Sequence, residues 1–149
     1  MRRILTMFAA AVCAASLALP VTVAQAGSAR AKLSLRHTRV GAILVNSRGF
    51  TLYAFSRDTK NKDACQKIKQ CLKVWPALAT GGRPVAGSGV RQSLIGTIRL
   101  ASGARQVTYA GHPLYTYIAD TGPGSTFYVN IFQFGGYWPA VNAAGREVK

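Results

Sequence analysis

One ten-residue pattern occurs twice in this chain, and it constrains the fold more than any other feature. Gly111 to Asp120, GHPLYTYIAD, repeats the outline of Gly49 to Asp58, GFTLYAFSRD: a Gly, two residues, Leu-Tyr-X-aromatic, and a closing Asp. Each copy is followed at a distance by Trp-Pro-Ala, as Trp75-Pro76-Ala77 and Trp138-Pro139-Ala140. Tyr53 stands 22 residues before Trp75 and Tyr115 stands 23 before Trp138, so order and spacing repeat along with composition. A period near 62 exceeds the roughly 20–50 residues of solenoid and propeller units and suits two related halves of one small domain. Tyr53 is therefore expected to take the place of Tyr115, Asp58 that of Asp120 and Trp75 that of Trp138, with each Leu-Tyr strand near its own distal Trp-Pro.

The first 26 residues read as an export signal and not as part of that domain. Arg2 and Arg3 precede an almost continuous apolar run from Ile4 to Val23, and Ala24-Gln25-Ala26 has the small-X-small form of a cleavage site. The run is also near spanning length, so an uncleaved anchor is the competing reading; early Pro20 and the small residues before Gly27 favour cleavage. Cys13 lies deep inside the apolar run, a poor position for lipid attachment.

The remaining 123 residues suffice for one core and are too few for two ordinary domains. Their formal charge is +13, set by 17 Lys and Arg against Asp58, Asp63, Asp120 and Glu147. Such an excess favours anionic partners. With export, an anionic envelope polymer is the expected partner and nucleic acid an unfavoured one. The basic residues are scattered, so a merely solvated basic surface stays open beside specific recognition. No stable membrane span is expected once the signal is gone, and the sequence does not fix an oligomeric state.

Residues 27–39 read as a flexible basic leader, residues 40–145 as the domain and 146–149 as a tail. Val40 to Val45 and Phe50 to Phe55 are strand-like around the Asn46-Ser47-Arg48-Gly49 turn and predict a hairpin with both faces partly covered. Ser93–Leu100, Arg105–Tyr109 and Pro113–Ile118 predict a meander, with further strands at Phe127–Phe134 and Tyr137–Val141. Between Asp63 and Val74, Ala64, Ile68, Cys71 or Leu72, and Trp75 recur at helical spacing and Pro76 enforces a stop. The fold class is thus mainly β: a small antiparallel domain of two related halves with one short helix.

Cys65 and Cys71 are the pair left after processing, and an even pair in an oxidising compartment points to a disulfide. Residues six apart on an α-helix are separated by about 9 Å along the axis and lie about 120° apart around it. The resulting Cα separation, near 10 Å, exceeds the approximately 7 Å limit for a bridge. A disulfide-closed turn around Gln66 to Gln70 is therefore expected, with the helix interrupted there. Dithiol catalysis lacks its CxxC spacing, and tetrahedral zinc lacks ligands beyond His37 and His112. The Gly-rich stretch Thr80 to Gly89 has no Lys-Ser/Thr ending and reads as turn chemistry, not as a phosphate loop. No cofactor is expected.

The residues that invite a ligand are His112, Asp58, Asp120, Tyr53 and Tyr115. His112 lies in the second motif where the first has Phe50, which makes packing the plainer reading. Asp58 and Asp120 occupy corresponding places and suit turn or ligand contacts; as a glycosidase pair they would have to converge across a sugar bond. No serine sits in a nucleophile-elbow pattern. The aromatic residues suit a packed core, with a stacking platform as the alternative.

Taken together, GFTLYAFSRD, the two cysteines before VWPAL, RQVTYAGHPLYTYIAD, Pro123-Gly124 and GGYWPA resemble a bacterial family of exported proteins described as a secreted repeat of unknown function and often of lipoprotein type. The resemblance covers about Val40 to Gly145. Relatives commonly have three residues between the cysteines where this chain has five, and Asn-Gly where this chain has Ala110-Gly111. The Gly-Gln that often follows Pro-Gly in relatives is absent here. The resemblance implies a secreted, periplasmic or cell-envelope location and carries no catalytic group over. The expected function is a non-catalytic envelope module binding anionic surface polymer, with an enzyme on envelope carbohydrate acting through the paired aspartates as the alternative.

Overall fold

A computed structural model describes residues 29–149, so the expected signal segment, 1–26, lies outside the described residues. In chain order the strands are β1 (Lys32–Thr38), β2 (Gly41–Val45), β3 (Val85–Ala86), β4 (Ile95–Arg99), β5 (Arg105–Tyr109), β6 (His112–Pro113), β7 (Ile131–Gln133), β8 (Gly136–Trp138), β9 (Ala140–Val141) and β10 (Glu147–Val148). Among the described residues the helical part is one turn of α-helix, α1 (Cys71–Val74), and two 3-10 turns at Cys65–Lys67 and Gln92–Leu94. The domain is therefore mainly β, as the sequence indicates.

Two three-stranded sheets carry the repeat. One has the order β2-β1-β3 and the other β4-β5-β6; β7-β8 and β9-β10 form hairpin-like pairs. Within the first sheet, β1 runs antiparallel to β2 from Ser34↔Val45 to Thr38↔Gly41, while β3 joins β1 in parallel. Within the second, β4 pairs with β5 from Ile95↔Tyr109 to Arg99↔Arg105. The Leu-Tyr segments continue these sheets in the same way: Leu52 N donates to Leu44 O at 3.0 Å, and Leu114 N donates to Val107 O at 3.0 Å.

The flexible leader is corrected by this pairing. Residues 32–38 are a strand because Leu33 reaches full burial and the backbone is satisfied by β2 on one edge and β3 on the other. His37 pairs with Ala42 and so belongs to the sheet. The tail is similarly tied down where Glu147↔Val141 and Val148↔Ala140 pair. The 127–134 strand shrinks to Ile131–Gln133, with Phe134 and Gly135 at positive φ turning the chain into β8.

Alternation along Leu52–Phe55 splits the interior into two clusters, because successive strand residues face opposite ways. Leu52 and Ala54 join Leu33, Leu44, Val107 and Leu114 in an aliphatic cluster. Tyr53 and Phe55 join Tyr115, Trp75, Trp138, Cys65 and Cys71 in an aromatic one. Both faces of this segment are covered, as expected from its large residues on each side.

The helix is interrupted as the cysteine geometry requires. Cys65 and Cys71 are bridged with a Cα–Cα distance of 5.4 Å. The chain leaves the 3-10 turn in extended conformation at Ile68 and enters α1 through a left-handed Gln70, φ 66°. Both cysteines are fully buried against the aromatic cluster.

Candidate functional site

The two repeats meet at Tyr53 and Tyr115. Each donates its backbone N–H to the other's carbonyl at 2.9 Å, a closed antiparallel pair. From there each segment pairs with the Trp-Pro-Ala of the opposite half. Ala54 N donates to Pro139 O and Thr116 N to Pro76 O, both at 2.9 Å, while Tyr53 bridges Ala140 and Tyr115 bridges Ala77. Side chains still reach their own halves: the Tyr53 ring meets Trp75 edge-on at 5.1 Å, and Tyr115 meets Trp138 at 5.2 Å. Equivalent residues thus hold equivalent places, with the backbone partners exchanged between halves.

Trp75 and Trp138 stack on one another at 4.0 Å and 3°. Phe55 covers the outer face of Trp138 and Tyr117 that of Trp75, each at 4.1 Å. Both indole N–H groups end on one residue: Trp75 Nε1 donates to Gln133 Oε1 at 2.7 Å and Trp138 Nε1 to Gln133 O at 3.0 Å. The aromatic residues consequently form the core's centre, with the tryptophans and both motif tyrosines fully buried.

The aspartates are bound crosswise by the tyrosine hydroxyls. Tyr115 Oη donates to Asp58 Oδ2 at 2.9 Å, and Tyr53 Oη lies 3.1 and 3.2 Å from the two oxygens of Asp120. Asp58 also accepts from Ala64 N at 2.7 Å, ordering the approach to the disulfide turn. Burial raises the Asp58 pKa to about 7, with Asp63 nearby adding to the rise and the Ala64 and Tyr115 hydrogen bonds opposing it. Burial likewise raises Asp120, against the opposing hydroxyl of Tyr53. Both tyrosine hydroxyls are pushed upward, by burial first and then by their aspartates.

The halves differ at the outer edge of this network. Asp58 and His112 line one depression of about 200 Å³ together with Thr59, Lys60 and the Ala110-Gly111 turn. Lys60 lies across that turn, since a Cβ on Gly111 (φ +87°) would come within 2.8 Å of Lys60 Cγ. In the other half Pro123 stands over the matching turn, within 2.9 Å of a Cβ on Gly49, and Phe50 replaces the histidine. Asp120, 9% exposed, does not line the His112 depression. The structure therefore brings Asp58 and His112 to one place, each tyrosine to the opposite half's aspartate, and the two aspartates to different surroundings.

Lys60 is the contributor that motif reading missed. Its signal lies in the departure between copies, where Asp58-Thr59-Lys60 meets Asp120-Thr121-Gly122. Among the described residues, no group of three or more His, Cys, Asp or Glu is placed to hold a metal ion. No helix among them is long and apolar enough to cross a membrane.

These features define a two-repeat β domain whose halves share one aromatic core. The model of the family described as "secreted repeat of unknown function" matches the chain twice, at residues 34–79 and 96–142, and the chain belongs to that family. The matches begin within β1 and β4 and end at the distal Trp-Pro segments, so each covers one structural repeat. No curated protein and no solved structure matches the chain.

Proposed function

We propose that this secreted-repeat protein is a non-catalytic module of the cell envelope that binds anionic surface polymer through its basic exterior. The observation that carries the reading is the disposition of charge. Three of the four acidic side chains are turned to internal donors: Asp58 to Tyr115 and Ala64, Asp120 to Tyr53, and Asp63 to the Gln66 N–H. The cationic side chains, by contrast, lie mostly on the surface, including Arg36, Arg39, Lys60, Lys67, Lys69, Arg83, Arg99 and Arg105. The field around the molecule is positive with little acidic surface to offset it, which attracts polyanions.

A binding role is also supported by how the motif residues are used. Tyr53, Tyr115, Trp75 and Trp138 are closed into packing, and each aspartate is anchored to a tyrosine in its own surroundings. A glycosidase pair needs two carboxyl groups facing one sugar bond.

Isothermal titration of residues 27–149 with poly(glycerol phosphate) and with neutral dextran tests this reading. Binding to the polyanion should weaken steeply between about 50 and 200 mM salt as counterions return to it, with no binding to dextran. Salt-independent binding, or binding to dextran alone, would overturn it.

A further inference from the structure

The end of β1 and the loop that follows the second motif enclose a depression of about 390 Å³, lined by Arg36, His37, Thr38, Arg39 and residues 123–127. Among the described residues, no acidic one lines it. Its two guanidinium groups are positioned by the fold and do not simply trail in solvent. Arg36 lies across the backbone of two glycines. A Cβ on Gly124 would fall 2.6 Å from Arg36 Nε, and one on Gly49 would fall 3.5 Å from its Nη1. Those glycines are joined by a 2.8 Å hydrogen bond from Gly124 N to Gly49 O and both have positive φ, so the chain there suits glycine and leaves the arginine its bed.

Arg39 is held from two sides. Its Nε donates to Thr126 Oγ1 at 2.9 Å, and its guanidinium carbon lies 4.9 Å from the centre of the Phe127 ring. Among the described residues no hydrogen bond engages its Nη groups, which are left as donors for a ligand. Phe127 is 69% exposed despite this contact, so a large apolar ring borders the same depression in water. Guanidinium forks match the oxygens of carboxylate and phosphate, and arginines already oriented lose less entropy on binding them. The lysines near the disulfide, Lys67, Lys69 and Lys73, border a different depression and offer point charges on flexible stems.

We propose that Arg36, Arg39 and Phe127 form a subsite for an acidic pyranose, a sugar ring bearing carboxylate or phosphate. The guanidinium groups take the oxyanion and the exposed phenylalanine takes the apolar C–H face of the ring. This rests on the polyanion-binding reading and gives it a location and a sugar requirement.

The test compares a polygalacturonate oligomer, which has both pyranose and carboxylate, with poly(glycerol phosphate), which has the charge and no pyranose. Residues 27–149 should prefer the uronate at matched charge. R36Q/R39Q should weaken uronate binding by about tenfold or more, as loss of oriented charge-assisted pairs implies. The charge-matched K67Q/K69Q, which removes two charges of the same basic exterior outside this depression, should weaken it measurably but clearly less than R36Q/R39Q, as expected for removal of diffuse charge alone. F127A should abolish the preference for uronate over glycerol phosphate. Independently of any variant, the Nε–H resonances of Arg36 and Arg39 should shift when the wild-type protein is titrated with uronate. Equal losses in the two double variants, unmoved arginine resonances, or an unaltered preference in F127A would overturn the subsite while leaving polyanion binding standing. Failure of the wild type to bind either polymer would overturn both readings.

Discussion

Tyr53 and Tyr115 exchange both backbone hydrogen bonds at 2.9 Å while each hydroxyl reaches the aspartate that closes the other's motif. The pairing makes one half incomplete without the other. Tyr53 closes its backbone pairing on Ala140 and its hydroxyl on Asp120, both from the second half. Tyr115 does the same with Ala77 and Asp58 from the first. The repeat is thus a mutual scaffold, and its stability should be shared across the junction.

Truncation of either stacked tryptophan should reveal that sharing. Trp75→Ala and Trp138→Ala should each cost about 3–5 kcal/mol, the range for emptying a large buried aromatic site. The double variant should lose less than the sum, because the rings face each other at 4.0 Å and much of each loss is the same contact. Urea unfolding followed by circular dichroism would measure this, with Trp→Phe at either position as the milder replacement if Ala prevents folding. A cost below about 1 kcal/mol at one site would contradict the shared core.

Matched behaviour is also expected from the two hydroxyls. Tyr53→Phe and Tyr115→Phe each remove a donor from a carboxyl held inside the protein and should each cost about 1–3 kcal/mol, the range for leaving a buried polar group with a partner lost. Tyr115→Phe should in addition raise the Asp58 pKa further, since that hydrogen bond opposes the upward shift. Carboxyl chemical shifts followed against pH would read the second effect directly.

The sequence carried the repeat legibly because its Gly, Leu, Tyr, Asp and Trp-Pro landmarks keep their spacing, and each now occupies an equivalent place. It could not reveal the exchange of partners. Trp-Pro-Ala has the same letters in both halves, so Tyr53 pairing with Ala140 looks the same in composition as Tyr53 pairing with Ala77. Strand β1 was hidden for another reason: Leu33 alone among its seven residues is deeply buried, and its basic, half-exposed neighbours resemble a solvated segment. The interrupted helix was legible through covalent geometry, since a bridge across six residues and a regular helix exclude each other. His112 showed its limits differently. Its alignment with Phe50 suggested packing, whereas the nearby change from Gly122 to Lys60 and from Pro123 to Asn61 leaves it beside a depression.

Asp58 should make stability fall with rising pH. Its folded pKa is raised from 3.8 to about 7, so between these values the folded protein binds more protons than the unfolded chain. The derivative of unfolding free energy with pH is then negative. The favourable contribution is fully present below about pH 4 and is lost as pH rises through about 7, with a slope no steeper than about 1.4 kcal/mol per unit for one proton. Asp120 shifts in the same direction. Asp58→Asn mimics the neutral acid and should flatten the dependence, gaining on the wild type at pH 8. Denaturant titrations at pH 4.5, 6 and 8 would show it; parallel pH profiles for the two proteins would refute the assignment.

The disulfide should act as a local stabiliser shielded from reductant. Cys65 and Cys71 close a short loop, for which chain entropy gives about 2–3 kcal/mol. Both cysteines are fully buried against Trp75 and its neighbours, so thiolate attack requires opening of the aromatic cluster. Cys65→Ser/Cys71→Ser should therefore lower stability by about 2 kcal/mol, with a further loss if the hydroxyls are buried without partners. In the wild type, reduction by dithiothreitol should accelerate in sub-denaturing urea in step with exposure of tryptophan to quenchers. Mass-resolved alkylation alongside quenching would follow both. Rapid reduction without denaturant, while the tryptophans remain protected, would mean that the bridge opens independently of the core. In that case the disulfide turn would be a separate surface element and not part of the structure that holds the two halves together.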